Sequence, residues 1–232
     1  MANYLIIGAS SGIGKKLSEK LAESGHQVYG TYHKNELHPE NDRIQLFPLN
    51  VLDETISLDF LPENLAGIVY CPGSINLRPF ERIKPVDFIN DYNLQVVGAI
   101  KTIQAAASKL KASENAAIIL FSTVAVQTGL AFHSQVSASK GAIEGLTKAL
   151  AAEYAPKIRV NCIAPSLTDT PLAASLLNSD QKKQANAERH PLKRIGTTDD
   201  IANMVEFLLS PKANWITGQI IHVDGGFSTL KV

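Results

Sequence analysis

The sequence predicts an α/β domain: a parallel sheet with helices packed on both faces. Three observations carry this. Short apolar runs alternate with longer helical patterns along the whole chain. Several runs, above all Ala-Ala-Ile-Ile-Leu-Phe at 116–121, are continuously apolar, as strands covered on both faces must be. And 232 residues, 45% apolar and 19% charged, suffice for one large core and are too apolar for disorder.

The elements follow in order. Strand-like runs fall at 4–7, 27–31, 44–49, 67–70, 117–121, 159–163 and 219–223. Ile13, Leu17 and Leu21 recur at helical spacing after the first run, and Phe88, Tyr92, Val96 and Ile103 mark a second helix. Ile143, Leu146, Leu150 and Tyr154 line a third. Ile201, Val205 and Leu208 line a fourth, which begins after the capping run Thr198-Asp199-Asp200. Alternating β and α requires right-handed crossovers, with ligands beyond the carboxyl ends of the strands. Residues 170–196 are the longest break in the alternation, polar but carrying Leu172, Leu176 and Leu177. They form either a surface excursion or a lid over a substrate site.

Composition removes several classes of function. Lys plus Arg and Asp plus Glu are 22 each, so there is no basic excess for binding nucleic acid. No run approaches the ~20 apolar residues of a membrane span, so no membrane partner is expected. The first residues run straight into a strand without a leader pattern, and two cysteines, Cys71 and Cys162, make neither a disulfide framework nor a metal site. A soluble, cytoplasmic, metal-free single domain is expected.

The first strand runs into Gly8-Ala9-Ser10-Ser11-Gly12-Ile13-Gly14, and a helix follows. Glycines at G-x3-G-x-G permit a tight turn and bring backbone N–H groups to a pyrophosphate at the positive end of the helix. Past the second strand no acid stands between Gly30 and Asn35 to hold a ribose 2′-hydroxyl. His33 and Lys34 there either meet a 2′-phosphate or are solvated loop residues.

The chain resembles the short-chain dehydrogenase/reductase family, whose glycine loop has this G-x3-G-x-G form. The match spans nearly the whole chain. It includes Asn93 after the fourth strand, Ser137-Ala138-Ser139-Lys140-Gly141-Ala142, residues 158–165, Arg194-Ile195-Gly196, Thr217-Gly218-Gln219 and Val223-Asp224-Gly225-Gly226. The resemblance implies a Rossmann-type doubly wound sheet of seven parallel strands, ordered 3-2-1-4-5-6-7, in one dinucleotide-binding domain over 1–232. It implies hydride transfer between a nicotinamide cofactor and a small carbonyl/alcohol pair; the missing acid and the His33/Lys34 pair favour NADP(H), with NAD(H) the alternative. It also implies that Gly8, Ser10, Ser11, Gly12, Ile13 and Gly14 cradle the pyrophosphate, that Asn50 and Val51 meet the adenine, and that Gly73 keeps one position of the family Asn-Asn-Ala-Gly. Pro165, Thr168 and Thr170 frame the nicotinamide, with Ser166 in place of the family glycine.

The family's reaction uses an Asn, a Ser, a Tyr and a Lys. Lys140 matches the Lys and Asn93 is assigned to the Asn. The Tyr, four residues before Lys140, is replaced by Val136, and thirteen residues earlier Thr123 takes the place of the Ser. Valine cannot pass a proton, and such catalysis is typically worth ~10²–10⁴ in rate. His133 stands at H-x6-K, the offset at which the enoyl-reductase branch places its Tyr; it is either a substitute acid or a hydrogen-bonded structural histidine. Two further readings stay open: a cofactor-binding protein of impaired activity with a regulatory or assembly role, and an enoyl reductase. A stripe of small residues at Ala138, Gly141, Ala142, Gly145, Ala149 and Ala152 either packs on the chain's own sheet or, as the resemblance implies, pairs copies into a homodimer or homotetramer.

Overall fold

In the computed structural model, which describes residues 1–35 and 37–231, the apolar runs become strands. They are β1 Asn3–Ile7, β2 Gln27–Tyr32, β3 Ile44–Pro48, β4 Gly67–Tyr70, β5 Ala116–Phe121, β6 Ile158–Pro165 and β7 Ile220–Val223. All pair in parallel, in the order β3-β2-β1-β4-β5-β6-β7. The chain leaves β1 toward β2 and β3, then returns to lay β4 against the other side of β1. That reversal opens a crevice at the carboxyl ends of β1 and β4.

The helices are α1 Gly12–Glu23, α2 Pro85–Tyr92, α3 Gly98–Lys111, α4 Ala125–Thr128, α5 Ser134–Tyr154, α6 Asp180–Glu188 and α7 Thr198–Leu209. Strand periodicity sends alternate side chains to opposite faces. Leu5, Ile7, Ile68, Tyr70, Ile118, Leu120 and Val160 meet Ile103, Ala106 and Leu110 of α3 and Ile143 and Ala151 of α5. Tyr4, Ile6, Val69, Ile119, Phe121 and Ile163 meet Leu17 and Leu21 of α1 and Ile201, Val205 and Leu208 of α7. The sheet is thus apolar on both faces, and its polar end groups gather at the strand ends.

Two local departures from the sequence reading matter. The second helix is not continuous: a π turn, Asn93–Val97, separates α2 from α3. A π turn inserts an extra residue and rotates the side chains that follow. Tyr92 and Asn93, at its start, are exposed, while Gln95 and Val96 within it are buried. At α7 the cap is Thr197, one residue before the expected run. Its hydroxyl accepts from the Asp200 N–H, the Asp200 carboxylate accepts from the Thr197 N–H, and Arg194 grips the same carboxylate at 2.6 and 2.7 Å.

The small-residue stripe does not wholly face the sheet. Ala138, Gly145, Ala149 and Ala152 are exposed, and a Cβ added at Gly145 would meet nothing within 4 Å. Val86, Ile89 and Tyr92 of the neighbouring α2 are exposed as well. Residues 170–196 leave and rejoin the sheet end at one point. Thr168 bridges Gly196, and the Asp169 N–H donates to the Gly196 carbonyl at 2.8 Å.

Ile119 has no exposed surface and sits mid-sheet under α1 and α7. Ile119→Ala is expected to lower stability by about 2–5 kcal/mol, read as a reduced urea midpoint at unchanged slope.

Candidate active site

A cavity of about 930 Å³ occupies the crevice. It gathers the residues the sequence assigns to cofactor and chemistry: Gly8, Ser10, Ser11, Gly12, Ile13 and Gly14, His33 and Lys34, Asn50 and Val51, Gly73, Thr123, His133, Val136, Lys140, Pro165, Thr168 and Thr170. Asn93 is not among its walls. Asn93 is exposed at the start of the π turn, and Gln95, two residues on, lines the cavity instead, so the structure does not bring Asn93 together with the other candidate residues.

Each glycine of the loop has its own reason. Gly8 and Gly12 adopt φ of +81° and +53°, where side chains are strained. Gly14 opens α1 so close to β1 that a Cβ would lie 2.2 Å from the Gly8 carbonyl oxygen. The α1 N-terminus, with its unpaired amides and positive dipole end, thus faces the cavity with only backbone in between. Thr170 closes this end, its methyl 3.6 Å from where a Gly12 Cβ would be. His33 and Lys34 are exposed at the far end. The Asn50 side chain is spent on its own turn, donating to Asp53 at 2.6 Å and accepting from the Leu52 N–H.

At the other end, Val136 and Lys140 lie one turn apart on the same face of α5. Gly73 leaves a gap there: a Cβ would stand 3.8 Å from Lys140 Nζ and 3.4 Å from Gln95 Oε1. Ser122 is turned away into a buried bond, donating to Glu144 at 2.5 Å. That leaves the Thr123 hydroxyl, which accepts from the Ala125 N–H at 3.3 Å, as the nearby cavity hydroxyl on β5's exit. His133 stands at the N-cap position of α5 without a side-chain cap bond, and its Nδ1 lies 2.7 Å from the Ala131 carbonyl. Because a carbonyl only accepts, Nδ1 carries the proton and Nε2 is the nitrogen left for other partners.

Sequence reasoning missed a buried polar cluster beneath Lys140. The Asp91 carboxylate accepts from Ser139 at 2.5 Å, from Gln95 Nε2 at 2.7 Å and from Ser74. Asp91 and Gln95 are four apart, the one signal that could have joined them. Gln95 is 1% exposed, and its Oε1 has no partner among the described residues, so it is available to a water or ligand donor. It also missed His190, buried at the end of α6 and in the cavity wall.

Burial pushes the Lys140 ammonium down to about 8, against the opposing pull of Cys162, Asp91 and Cys71. Burial pushes both thiols, Cys71 and Cys162, up to about 12. The glycine cradle, the amide end of α1 and a cation beside a glycine gap fit a dinucleotide laid along the cavity.

Comparison with known proteins agrees along the whole length. A family model described as "Enoyl-(Acyl carrier protein) reductase" matches residues 8–228. The chain is 34% identical over 245 residues to the 3-oxoacyl-[acyl-carrier-protein] reductase FabG of Staphylococcus aureus, covering 96% of each. It is 31% identical over 243 residues to a tropinone reductase homolog of Arabidopsis thaliana, covering 97% of this chain and 92% of the other. Among solved structures, ElxO with NADP bound superposes at a TM-score of 0.90 with 25% identity, covering 99% and 100%. A short-chain type dehydrogenase/reductase from Mycobacterium ulcerans gives 0.87 with 27% identity, covering 98% and 90%.

Lys140 makes the stability of the protein pH-dependent. Unfolded, it keeps its proton up to about 10.5; folded, it loses it near 8. Between these values the unfolded chain binds more protons, so stability rises with pH. The thiols, ordinarily near 9 and here near 12, act in the opposite sense above 9. The lysine effect is therefore isolated between about 8 and 9. Urea midpoints of the wild type are expected to rise across that window and those of Lys140→Met to stay flat; equal slopes would refute the buried cation.

Proposed function

The chain belongs to the short-chain dehydrogenase/reductase family, and on that premise we propose that it transfers hydride between NADP(H) and a small carbonyl/alcohol pair without the family's tyrosine. The observation that carries this reading is the single cavity running from the amide end of α1 to Lys140. When bound, the nicotinamide supplies a two-electron hydride carrier. The chain's own groups do the rest. The Lys140 ammonium holds the ribose hydroxyls across the Gly73 gap, and Thr123 orients the substrate oxygen. Gln95, in place of Asn93, holds a water with its free Oε1. Residues 170–196 cover the substrate, since Leu172, Leu176 and Asn186 line the same cavity.

His33 and Lys34 support the phosphorylated cofactor. Both face the cavity, and neither makes a hydrogen bond or ion pair with another described residue. The names of the relatives suggest 3-oxoacyl thioesters and tropinone-like ketones as substrate classes. A symmetric dimer or tetramer would cover the exposed faces of α2 and α5. Two free thiols, Cys71 and Cys162, suit a reducing, cytoplasmic setting. No helix among the described residues is long and apolar enough to cross a membrane.

Val136 favours a second reading, a cofactor-binding protein of weak activity. It is buried in the cavity wall where the family hydroxyl belongs. The enoyl reading rests on the His133 offset.

Calorimetric titration is expected to show NADP⁺ binding more tightly than NAD⁺, with Lys34→Glu reversing the order; equal affinities would remove the 2′-phosphate argument. A panel of acetoacetyl-N-acetylcysteamine, tropinone and crotonyl-N-acetylcysteamine separates the activities. Turnover of the ketones supports the leading reading, turnover of the crotonyl ester alone supports enoyl reduction, and binding without turnover supports the second reading. Val136→Tyr is expected to raise ketone turnover about tenfold or more.

A further inference from the structure

We propose that Ser166 and His190 form a proton relay in the wall of this cavity, delivering to the substrate oxygen the proton that Val136 cannot. The proposal rests on the oxidoreductase reading above. Ser166 follows the last residue of β6, where the family has glycine, so its hydroxyl is an addition to the cavity wall. That hydroxyl lies 2.8 Å from Nε2 of His190. His190 is 3% exposed, and its Nδ1 lies 2.8 Å from the Asn186 carbonyl, one turn back at the end of α6. The carbonyl can only accept, so Nδ1 holds a proton in every state of the ring. In the neutral ring Nε2 is then bare and the Ser166 O–H donates to it; in the cation Nε2–H donates to Ser166. Both states keep every nitrogen of a buried imidazole satisfied, so a proton can pass along the pair without stranding a polar group.

Ser166 stands at the Thr123 end of the cavity. The Val124 N–H donates to the Pro165 carbonyl and the Ser122 N–H to the Ile163 carbonyl, which fixes the exit of β6 beside Thr123. Thr123, Val136 and Ser166 share the cavity. Phe227, another residue of the cavity wall, packs tilted against the imidazole at 5.2 Å between ring centres. By contrast His133 lies on the partly exposed rim.

In carbonyl reduction the hydride adds to the carbonyl carbon and the C=O π pair moves to oxygen. That oxygen takes the Ser166 hydroxyl proton, Ser166 Oγ takes the Nε2 proton of the imidazolium, and the neutral ring regains a proton from water after product leaves. In alcohol oxidation each transfer reverses. Nothing beyond the nicotinamide, the substrate and water is consumed.

The test uses the full chain. Nitrogen-labelled histidine in the cofactor-free protein, with His190→Ala for assignment, should show Nδ1 protonated whether the ring is neutral or cationic, and Ser166→Gly should shift the Nε2 resonance. An Nε2–H tautomer would overturn the relay. With NADPH and acetoacetyl-N-acetylcysteamine, Ser166→Gly and His190→Ala should each lower kcat about tenfold to a hundredfold with NADPH affinity unchanged. Imidazole in the buffer should restore His190→Ala and leave Ser166→Gly low. A merely structural histidine would give no rescue, and full kcat in Ser166→Gly would overturn the relay while the redox reading stands. A wild type that binds NADPH but reduces nothing overturns both.

Discussion

Gly14 has no room for a side chain, and much of the molecule follows from that fact. Its place, with a would-be Cβ 2.2 Å from the Gly8 carbonyl oxygen, lets α1 start directly on the end of β1. Only backbone then separates the helix's free amides from the crevice between β1 and β4. A helix set back by one side chain would still bury Leu17 and Leu21, but it would no longer aim its positive end at an anion. Fold and site therefore share a single steric constraint, placed where the strand order reverses.

At the opposite end of the cavity the governing interaction is electrostatic. Lys140 is half-buried, with its charge held mainly against the cost of lost water. The Asp91 carboxylate beneath it is spoken for by Ser139, Gln95 and Ser74. Such a carboxylate is fixed in place by its donors and acts on the lysine at a distance, without a direct ion pair. The cluster gives the site a rigid polar floor under a lining that has otherwise turned apolar at Val136.

The fold was legible because its signals are periodic. Continuous apolar runs, helical stripes and the glycine spacing each report a local rule, and the ends of the seven strands fall within two residues of the runs that predict them. The site was legible where a motif fixes the spacing, as for Gly8, Gly12, Gly14, Val136 and Lys140 on one cavity. It failed where backbone geometry departs from the expected period. The π turn at Asn93–Val97 exchanges Asn93 for Gln95, and no single-residue preference announces it. Partners far apart in sequence were equally silent: Ser166 meets His190 across 24 positions, and Asp91 meets Ser139 across 48.

The bridge between Thr168 and Gly196 has a consequence for how such a protein diversifies. Because the excursion begins and ends at one pinned point, its middle, between Thr170 and Asn186, can lengthen, shorten or be exchanged without altering strand register, while Thr170 stays against Gly12 and His190 against Ser166. On the proposed reading, the part that would choose the substrate is thereby separated from the sheet as an interchangeable cassette. Transplanting that middle stretch between related chains becomes a natural engineering route to a new substrate preference.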